Sequence, residues 1–462
     1  MNSLLSKLYL KSPIFIQNIM TTVYGYREYK KRYGGRFNEF SDWLDESQTW
    51  SYDKMIEYQN DKLRRMVHLA YKEVPFWKKR MENLGITPDD IKTTDDLYRL
   101  PILTKEEVHA AGKTIINPTI KWKNKFKTKT SGSTGTPLEL VHTYDCLQFQ
   151  RALWLRHRRW YGIDRKAREA SFGVKMVVPF NQEKPPFWRQ SLYDSRTIFS
   201  QYHLKDVYLN YSIKYLSRTA FECYGGYPSA IYQIADYIER TGIELKYRPK
   251  VVFAGSENTE DFQREIIEKH IAPVTSHYGG MEYASLASRC RAGYYHFDME
   301  CGIIEIIPIE GLESEPGKIT GRVVVTGFWN DAMPLLRYDM KDIATLLPGF
   351  KCPCGRDRPV LERIDGRSDS YLVTTDGRKI GRSTFLFWGH YWIREAQIIQ
   401  ERINFVLLKI VIRQQPHYED IKNLQDRIKD VLGNGTDVEV KIVDKIERTR
   451  AGKFSAVISK VN

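Results

Sequence analysis

Short runs rich in β-branched residues alternate with helical stretches along most of this chain, and that alternation limits the possible fold more than any other feature. From about residue 126, the runs LELVHT, KMVVPF, KVVFAG, CGIIEIIPI and GRVVVTG are typical of strands. The stretches SAIYQIADYIERTG and EDFQREIIEKHI carry apolar residues at helical spacing. Because alternating strands and helices pack with the helices against a sheet, the pattern predicts an α/β architecture.

The regions on either side of this alternating segment have their own patterns. Residues 40–110 are predicted to be mostly helical, with Ser51 as the cap of a long amphipathic helix. After about residue 366 the pattern restarts on a smaller scale, with strands in EAQIIQERINFVLLKIVIR, a helix in YEDIKNLQDRIKDVL and a strand in DVEVKIVD. The sequence therefore predicts a large α/β domain with a helical N-terminal region over residues 1–365, and a small α+β domain over residues 366–462.

Charge and cysteine content restrict the partners and the compartment that we expect. The 462 residues include 71 Lys and Arg against 57 Asp and Glu, and this net charge of +14 favours anionic partners such as nucleotides, acidic sugars, nucleic acid or anionic lipid. Six cysteines are too few for a disulfide scaffold, so we expect a reducing, cytoplasmic location. No apolar run reaches the roughly 20 residues that a transmembrane helix needs.

The first twenty residues are apolar and basic. Leu5, Leu8 and Tyr9 have helical spacing, and Pro13 interrupts any single helix through this region. The segment lacks the unbroken apolar stretch of a signal peptide. Two interpretations stay open: a helix that packs on the body of the protein, which we favour, and a helix that lies on a membrane surface.

The most informative segment is a loop rich in Ser, Thr and Gly between two extended runs. Its hydroxyls and backbone N–H groups converge on a small volume, and its glycines permit close approach by a ligand. Such a loop can cradle a polyphosphate, although an isolated loop of this composition is usually an ordinary surface loop. The loop consists of Thr130, Ser131, Gly132, Ser133, Thr134, Gly135, Thr136 and Pro137.

The order of residues in this loop resembles the phosphate loop of the adenylate-forming enzymes, which include acyl-CoA synthetases and phenylacetate–CoA ligases. Five further segments resemble that family's motifs in the same order, so the resemblance spans roughly residues 50 to 460. The segments SPIFIQN, RYDMKDIATLLPG and CPCGR…RIDGRSD are most similar to the phenylacetate–CoA ligase branch, and particularly to its relatives in capsular polysaccharide biosynthesis.

This resemblance implies an ATP/AMP site built from several segments. By the resemblance, Tyr278 stacks on adenine, Asp342 binds the ribose hydroxyls and Arg367 lies near the ribose. Two residues depart from the family pattern, because Leu138 stands where a Lys often follows the loop and Met281 replaces a hydroxyl residue. Besides the loop, the implied site comprises Ala254, Gly255, Ser256, Glu257, His277, Tyr278, Gly279, Asp342 and Arg367.

The resemblance also implies the catalytic groups. Glu282 helps to hold Mg²⁺, Lys453 is the catalytic lysine of the small domain, and Asp369 is the pivot of the hinge between the domains. In the family's reaction a carboxylate attacks the α-phosphorus of ATP and pyrophosphate leaves. A thiol or amine then attacks the acyl carbon, after the small domain has turned about the hinge. Such chemistry depends mainly on positioning and on charge neutralisation.

Three cysteines and a histidine form a candidate metal site. Cys290 and His296 have five residues between them, and Cys352 and Cys354 follow as a C-x-C pair. Three thiols and an imidazole suit a closed, structural zinc site, and relatives in this branch carry a similar arrangement. Four reduced residues without a metal remain the alternative, and Cys301 is an alternative fourth ligand.

Arginines alternate with aromatic residues between residues 151 and 161. Arg151, Arg156, Arg158 and Arg159 lie among two Trp and one Tyr on a predicted helix. We favour an ordinary helix with a core-facing side. The alternatives are contacts to CoA phosphates or to an acidic sugar, and stacking on nucleic acid.

Together these features predict an ATP- and Mg²⁺-dependent ligase that activates a carboxylic acid as acyl-AMP. The acceptor is CoA by resemblance, with an amine as a variant, and a role in capsule or exopolysaccharide synthesis would bring contact with polysaccharide assembly or the membrane periphery. The alternatives are an acyl-protein thiol synthetase and a non-catalytic basic binding protein. Nucleic acid is not expected as a partner, because no nucleic-acid-binding module surrounds the basic clusters.

Overall fold

The computed structural model describes residues 3–130, 137–173, 176–312, 314–367, 372–380, 384–387, 390, 392–448 and 454–461. The chain divides into two units by its internal contacts. Unit 1 comprises Met1–Ile303, Thr326–Tyr338 and Lys351–Arg358, and unit 2 comprises Ile304–Val325, Asp339–Phe350 and Pro359–Asn462. The domain boundary predicted between residues 365 and 366 stays a prediction.

Eleven α-helices lie in the described part of the chain, and only the last belongs to unit 2. The longest, α4, begins directly after Ser51, whose side chain accepts a hydrogen bond from the backbone N–H of Lys54, as the sequence predicted. The helices are α1 (Ser3–Lys11), α2 (Ile14–Tyr33), α3 (Phe37–Ser47), α4 (Tyr52–Glu73), α5 (Pro75–Asn83), α6 (Lys105–Ala111), α7 (Tyr144–Arg159), α8 (Asp206–Arg218), α9 (Pro228–Thr241), α10 (Asp261–His270) and α11 (Tyr418–Leu432).

The strands include most of those that the sequence predicts. The exception is KMVVPF, whose described residues 176–180 form no strand. The strands are β1 (Lys125–Lys129), β2 (Glu139–Thr143), β3 (Glu169–Phe172), β4 (Trp188–Ser191), β5 (Arg196–Phe199), β6 (Cys223–Gly226), β7 (Val251–Ala254), β8 (Val274–Gly279), β9 (Leu286–Arg289), β10 (Tyr295–Phe297), β11 (Gly302–Pro308), β12 (Ile319–Gly327), β13 (Tyr338–Leu346), β14 (Val360–Arg367), β15 (Leu372–Val373), β16 (Lys379–Ile380), β17 (Ile393–Arg402), β18 (Phe405–Ile412), β19 (Asp437–Ile442) and β20 (Val457–Ser459).

The sheet of unit 1 is parallel at its centre. Its strand order is β10-β9-β8-β7-β6-β3-β5-β4, and strands β8, β7, β6, β3 and β5 run in one direction. The edge strand β4 pairs antiparallel with β5, and β9 pairs antiparallel with β8. The carboxyl ends of the central strands therefore meet at one edge, which is where open α/β sheets bind their ligands.

Helices α8, α9 and α10 bury their apolar residues against one face of this sheet. Leu209, Ile213 and Leu216 of α8 recur at helical spacing and are fully buried. They share one core with Ile231 of α9 and Val252 of β7. The apolar residues of these helices and of the sheet strands pack in one shared core. The predicted α/β class is therefore confirmed.

Unit 2 contains most of two groups of paired strands with more than two members each. Its first group has the order β11-β12-β13-β14 and is a section of a longer sheet, with β13 and β14 antiparallel. Its second is a four-stranded sheet of order β19-β18-β17-β20, and α11 buries Leu424, Ile428 and Leu432 in the core of this section. This is the small α+β arrangement that the sequence predicts after residue 366. No helix in the described residues is both long and apolar enough to cross a membrane.

A buried ion triad joins three segments of unit 1. Arg156 of α7 donates to Asp298 at 2.7 Å and to Glu300 at 2.6 Å, and all three side chains are almost fully buried. Ser47 of α3 donates to Glu300 at 2.8 Å, and Ser288 of β9 donates to Asp298 at 2.7 Å. Burial alone would raise the pKa of Glu300, but Arg156 outweighs it and the pKa is lowered.

We expect Glu300→Ala to destabilise the protein by about 3–5 kcal/mol, because it leaves a buried guanidinium with half of its compensating charge. Urea unfolding followed by fluorescence measures this change in the free energy of unfolding. Glu39→Ala is the matched control, since Glu39 pairs with Arg36 at the exposed surface and such pairs contribute little. Equal unfolding midpoints for the two variants would show that the triad does not stabilise the fold more than a surface ion pair does.

Candidate active site

The carboxyl ends of β7 and β8 bring two of the predicted nucleotide-binding segments together. Ala254 is the register partner of Ser276 in this parallel pair, so residues 255–257 and 277–279 reach the sheet edge side by side. Ser256 has a φ of 67°, which is strained for a residue with a side chain. Strain of this kind is concentrated at ligand sites, where the surroundings hold the backbone in place.

The turn after β7 is also fixed to the start of α9. The Glu257 carboxylate accepts a hydrogen bond from the backbone N–H of Ser229 at 3.3 Å, at the helix end that favours negative charge. The N–H of Gly255 donates to the carbonyl of Gly226 at 3.0 Å. Gly226 has a φ of 142°, and a Cβ there would lie 1.7 Å from the Phe172 carbonyl oxygen, so only glycine fits.

Glu282 lies in the connection between β8 and β9. Gly279 and Leu286 are register partners, so residues 280–285 form the loop of this antiparallel pair. Tyr283 has a φ of 52°, and its carbonyl accepts a hydrogen bond from Gln150 at 3.2 Å. Glu282 is buried beside this strained residue, at the same sheet edge as Tyr278. Glu282 therefore lies in the turn that follows the strand of Tyr278, and its role in holding magnesium stays a prediction.

The Ser/Thr/Gly loop is carried by the hairpin of β1 and β2. The two strands are antiparallel, with Lys129 opposite Glu139. The backbone N–H of Thr130 donates to the Leu138 carbonyl at 3.0 Å, and the N–H of Leu138 donates to the Thr130 hydroxyl at 2.9 Å. Thr130 thus closes the base of the loop. Ser131, Gly132, Ser133, Thr134, Gly135 and Thr136 lie outside the described residues.

A contact that the sequence does not reveal joins this hairpin to the turn that carries Glu282. His142 of β2 is fully buried, and its ring centroid lies 4.7 Å from that of Tyr283. Burial lowers the pKa of His142 to about 4, so the imidazole is neutral at physiological pH. Its Nε2 atom is 3.0 Å from the Thr128 hydroxyl. The loop hairpin and the Glu282 turn are therefore neighbours within unit 1.

Asp342 lies on β13 of unit 2. It is the register partner of Arg367 on β14, so the backbone brings together the two positions predicted at the ribose. Lys341 has a φ of 55°, and its N–H donates to the Asp339 carboxylate at 2.8 Å. The Arg367 side chain, the hinge residue Asp369 and the predicted catalytic Lys453 lie outside the described residues.

A cation lies beside the strand that carries Tyr278. The Arg151 guanidinium is 3.9 Å from the ring centroid of Trp154, and that ring lies 4.8 Å from His277. Burial, followed by Arg32, lowers the pKa of Arg151 to about 10, and burial, followed by Arg151, lowers that of His277 to about 4. Among the described residues no carboxylate is within ion-pair distance of Arg151. The Arg151 side chain is half-buried.

The four predicted metal ligands form one cluster in unit 1. The sulfur atoms of Cys290 and Cys352 are 3.7 Å apart, and the Cys354 sulfur is 3.2 Å from Nε2 of His296. All four ligand atoms lie within 4.8 Å of one another. Cys301 is outside this cluster, where its sulfur accepts a hydrogen bond from Gln150 at 2.7 Å, so it is not the alternative fourth ligand.

The cluster has the dimensions of a tetrahedral zinc site. Zn–S bonds of about 2.3 Å place two sulfurs about 3.8 Å apart, close to the separation of Cys290 and Cys352. Burial, followed by Arg356 and Arg358, lowers the pKa of His296 to about 4, which keeps the imidazole neutral as a metal ligand requires. Four protein donors complete a tetrahedral coordination shell, so a metal here would be structural.

Known proteins resemble this chain in sequence and in fold. The family described as the CapK C-terminal domain matches residues 372–460. Protein CapK of Staphylococcus aureus is 27% identical over 99% of this chain and 100% of its own. A phenylacetate-coenzyme A ligase of Pseudomonas putida is 24% identical over 71% of this chain and 74% of its own. A 2-hydroxyisobutyryl-CoA ligase, crystallised in the postadenylation state with R3-HIB-AMP, covers 90% of this chain and 91% of its own with a TM-score of 0.67 and 16% identity.

The chain shares the fold of this CoA ligase structure. The resemblance that the motifs predict is confirmed, as are the large α/β part with its helical N-terminal region and the small α+β part. Of the predicted site residues that the structure describes, those at the ends of β7 and β8 and in the Glu282 turn are neighbours in unit 1, and the hairpin whose end carries Thr130 contacts that turn. Sequence reasoning missed His142 and the Tyr283 contact, since neither residue has a motif of its own.

Proposed function

We propose that this protein is an ATP- and Mg²⁺-dependent ligase that converts a carboxylic acid into an acyl-adenylate. The observation that carries the proposal is the packing of His142 on Tyr283, 4.7 Å apart, which joins the Ser/Thr/Gly loop hairpin to the Glu282 turn. A phosphate-binding loop and a magnesium-holding carboxylate act on the same triphosphate, so adenylation requires them to be neighbours. The ligase relatives and the AMP complex of the solved neighbour support the same function.

We expect the following roles for the predicted residues in the first step. The hydroxyls and N–H groups of the 130–136 loop would bind the phosphates, Tyr278 would stack on adenine, and Asp342 with Arg367 would bind the ribose. Bound Mg²⁺, held through Glu282, would supply positive charge at the phosphates. The substrate carboxylate forms a bond to the α-phosphorus, the bond to the bridging oxygen breaks, and pyrophosphate leaves with the electron pair. Lys453 would neutralise the charge that develops.

In the second step the acyl group passes from AMP to an acceptor. CoA is the acceptor that the coenzyme A ligase relatives suggest, and an amine is the variant. The small domain, residues 366–462, would turn about Asp369 and withdraw Lys453 between the steps. The name of the CapK relative suggests a place in capsule synthesis, where an amine could be joined to a uronic acid. Transfer to a protein thiol is the second candidate.

Arg151 points to the class of acid. A cation that is half-buried and has no carboxylate in ion-pair range among the described residues is poorly compensated. It lies next to Trp154, which contacts His277, and His277 directly precedes the adenine-stacking Tyr278. An acid with a second anionic group would provide the missing charge. We therefore expect a dicarboxylic or uronic acid rather than a neutral monocarboxylic acid.

Lys453→Ala should lower the rate of ATP–pyrophosphate exchange about a hundredfold or more, because a transition-state charge loses its partner. The exchange is measured with whichever carboxylic acid gives the highest pyrophosphate release in a screen. Lys460→Ala is the matched control, since Lys460 lies seven residues later and only pairs with Glu401 at the surface. Exchange at the wild-type rate in the Lys453 variant would refute its catalytic role.

Arg151→Gln should lower kcat/KM about ten- to a hundredfold for acids with a second negative group, the effect of losing a hydrogen bond to a charged group. Its effect on neutral monocarboxylic acids should be small. Arg159→Gln on the same helix, where Arg159 pairs with Asp45 near the surface, serves as the control. An equal loss for both classes of acid would show that Arg151 does not read substrate charge.

The Cys290, His296, Cys352 and Cys354 cluster would hold a structural zinc ion that joins two distant segments of unit 1. Purified protein should contain about one zinc per chain by elemental analysis. Cys352→Ser should remove the metal and lower the melting temperature, whereas Cys301→Ser, outside the cluster, should leave the zinc content unchanged. A metal-free preparation with the same melting temperature as the native protein would contradict this assignment.

A further inference from the structure

Helix α2 has its polarity reversed relative to an ordinary surface helix. Its buried positions are Gln17, Thr21 and Gly25, which are polar or lack a side chain. Phe15, at 65% exposure, and Ile19, at 58%, face outward. A helix that lies on a protein normally buries its apolar side and exposes its polar side, so α2 is not placed there by hydrophobic burial alone.

Hydrogen bonds to the edge strand β4 fix this orientation. Asn18 accepts from the backbone N–H of Gln190 at 2.9 Å, and Thr22 accepts from the N–H of Leu192 at 3.2 Å. Gln17 accepts from the fully buried side chain of Arg189. These polar groups must face the strand, so the apolar residues between them have to face solvent.

The helices close on this strand without room for adjustment. A Cβ at Gly25 would lie 2.3 Å from the Ser191 hydroxyl, so a larger residue there would have to displace that side chain. Gln17 also donates to the carbonyls of Tyr9 and Ser12 at 3.0 Å, which ties α1 to α2. The Tyr9 hydroxyl in turn donates to the Val177 carbonyl at 2.7 Å. These contacts fix the orientation of both helices, and so they determine which side chains face outward.

We name this surface the N-terminal apolar face and define it by Leu5, Leu8, Phe15, Ile19 and Val23, all of which are exposed. On α2 its members recur every four residues, so they form one stripe. Leu192, at 74% exposure, extends the apolar area, because its N–H is bonded to α2.

The charges that α1 and α2 carry have almost a single sign. Residues 1–33 contain six Lys and Arg and one acidic residue, Glu28, which gives 6 − 1 = +5. Lys7, Lys11, Arg27 and Lys30 are all exposed. Tyr26 and Tyr193 pack edge to face at 4.8 Å nearby, and both are partly exposed. An apolar stripe with cations and tyrosines at its border has the composition of helices that lie in the interface of a membrane.

We propose that the N-terminal apolar face docks on the surface of a lipid bilayer that contains anionic lipids. Burial of the stripe among acyl chains would remove exposed apolar side chains from water. The excess of cations would be attracted to the anionic headgroups. A protein partner would need a matching groove, whereas a bilayer accepts the outward, convex side of a helix. This inference is independent of the ligase reaction.

Co-sedimentation of the full chain with vesicles tests the proposal. The protein should pellet with vesicles of phosphatidylcholine mixed with phosphatidylglycerol, and much less with phosphatidylcholine alone. The bound fraction should fall as salt is raised, because the attraction between charges is screened beyond about 10 Å at 0.1 M salt. Absence of the protein from both pellets at low salt would overturn the proposal.

The variant Phe15→Ser, Ile19→Ser, Val23→Ser isolates the apolar stripe. It should bind the mixed vesicles about tenfold or more weakly, since three apolar side chains no longer enter the bilayer. The matched control changes Leu84, Ile403 and Ile442 to Ser, residues with exposures of 43, 47 and 45% elsewhere on the chain. Equal binding by the two triple variants would refute a role for the stripe.

Lys7→Glu with Lys11→Glu tests the electrostatic part, and it should abolish the preference for phosphatidylglycerol. The other possible occupant of the face is a second copy of the chain. Sedimentation velocity in the absence of lipid tests for it by measuring whether the protein is a dimer. A dimer of the wild type that the stripe variant cannot form, together with no vesicle binding, would show that the face is covered by a second copy of the chain. Unchanged melting temperatures of all variants verify that the fold is intact.

Discussion

The parallel hydrogen bonding of β6, β7 and β8 is the constraint on which the rest of unit 1 depends. It fixes the register of Gly226 with Ala254 and of Ala254 with Ser276, and hence the edge at which the residues after β6 and β7 leave the sheet. At the ends of these two strands the backbone adopts strained or glycine-dependent conformations, as at Ser256 and Gly226. Rigid strands with irregular ends are a common way to place functional groups on a stable support.

Much of the fold could be predicted because its signals are local. The helix over 418–432 and the strands β7, β11 and β12 carry their periodicity within a few consecutive residues. The motifs around Tyr278 and Glu282 were recognisable for the same reason. The strand prediction for KMVVPF was wrong. The Val177 carbonyl of this segment accepts a hydrogen bond from the Tyr9 side chain and not from a neighbouring strand.

The parts that sequence could not provide all rest on contacts between distant residues. His142 meets Tyr283 across more than a hundred positions, and nothing near either residue signals the pair. The reversed polarity of α2 was equally hidden, because a stripe of Phe15, Ile19 and Val23 predicts burial unless the strand beneath it is known. The Cys and His cluster was predictable in part. The sequence shows residue types that suit a metal, but only the fold shows that the four residues lie together.

The polar side of α2 has a consequence for how the chain can be shortened. Asn18 occupies an N–H group of β4, which is the last strand of its sheet, and Thr22 occupies the N–H of Leu192 directly after it. An open strand edge is a template for pairing with other chains. Deletion of the N-terminal helices would therefore expose the β4 edge. The shortened chain would be prone to polymerise through this edge. The two helices that carry the N-terminal apolar face therefore also cover the β4 edge and prevent other chains from pairing with it.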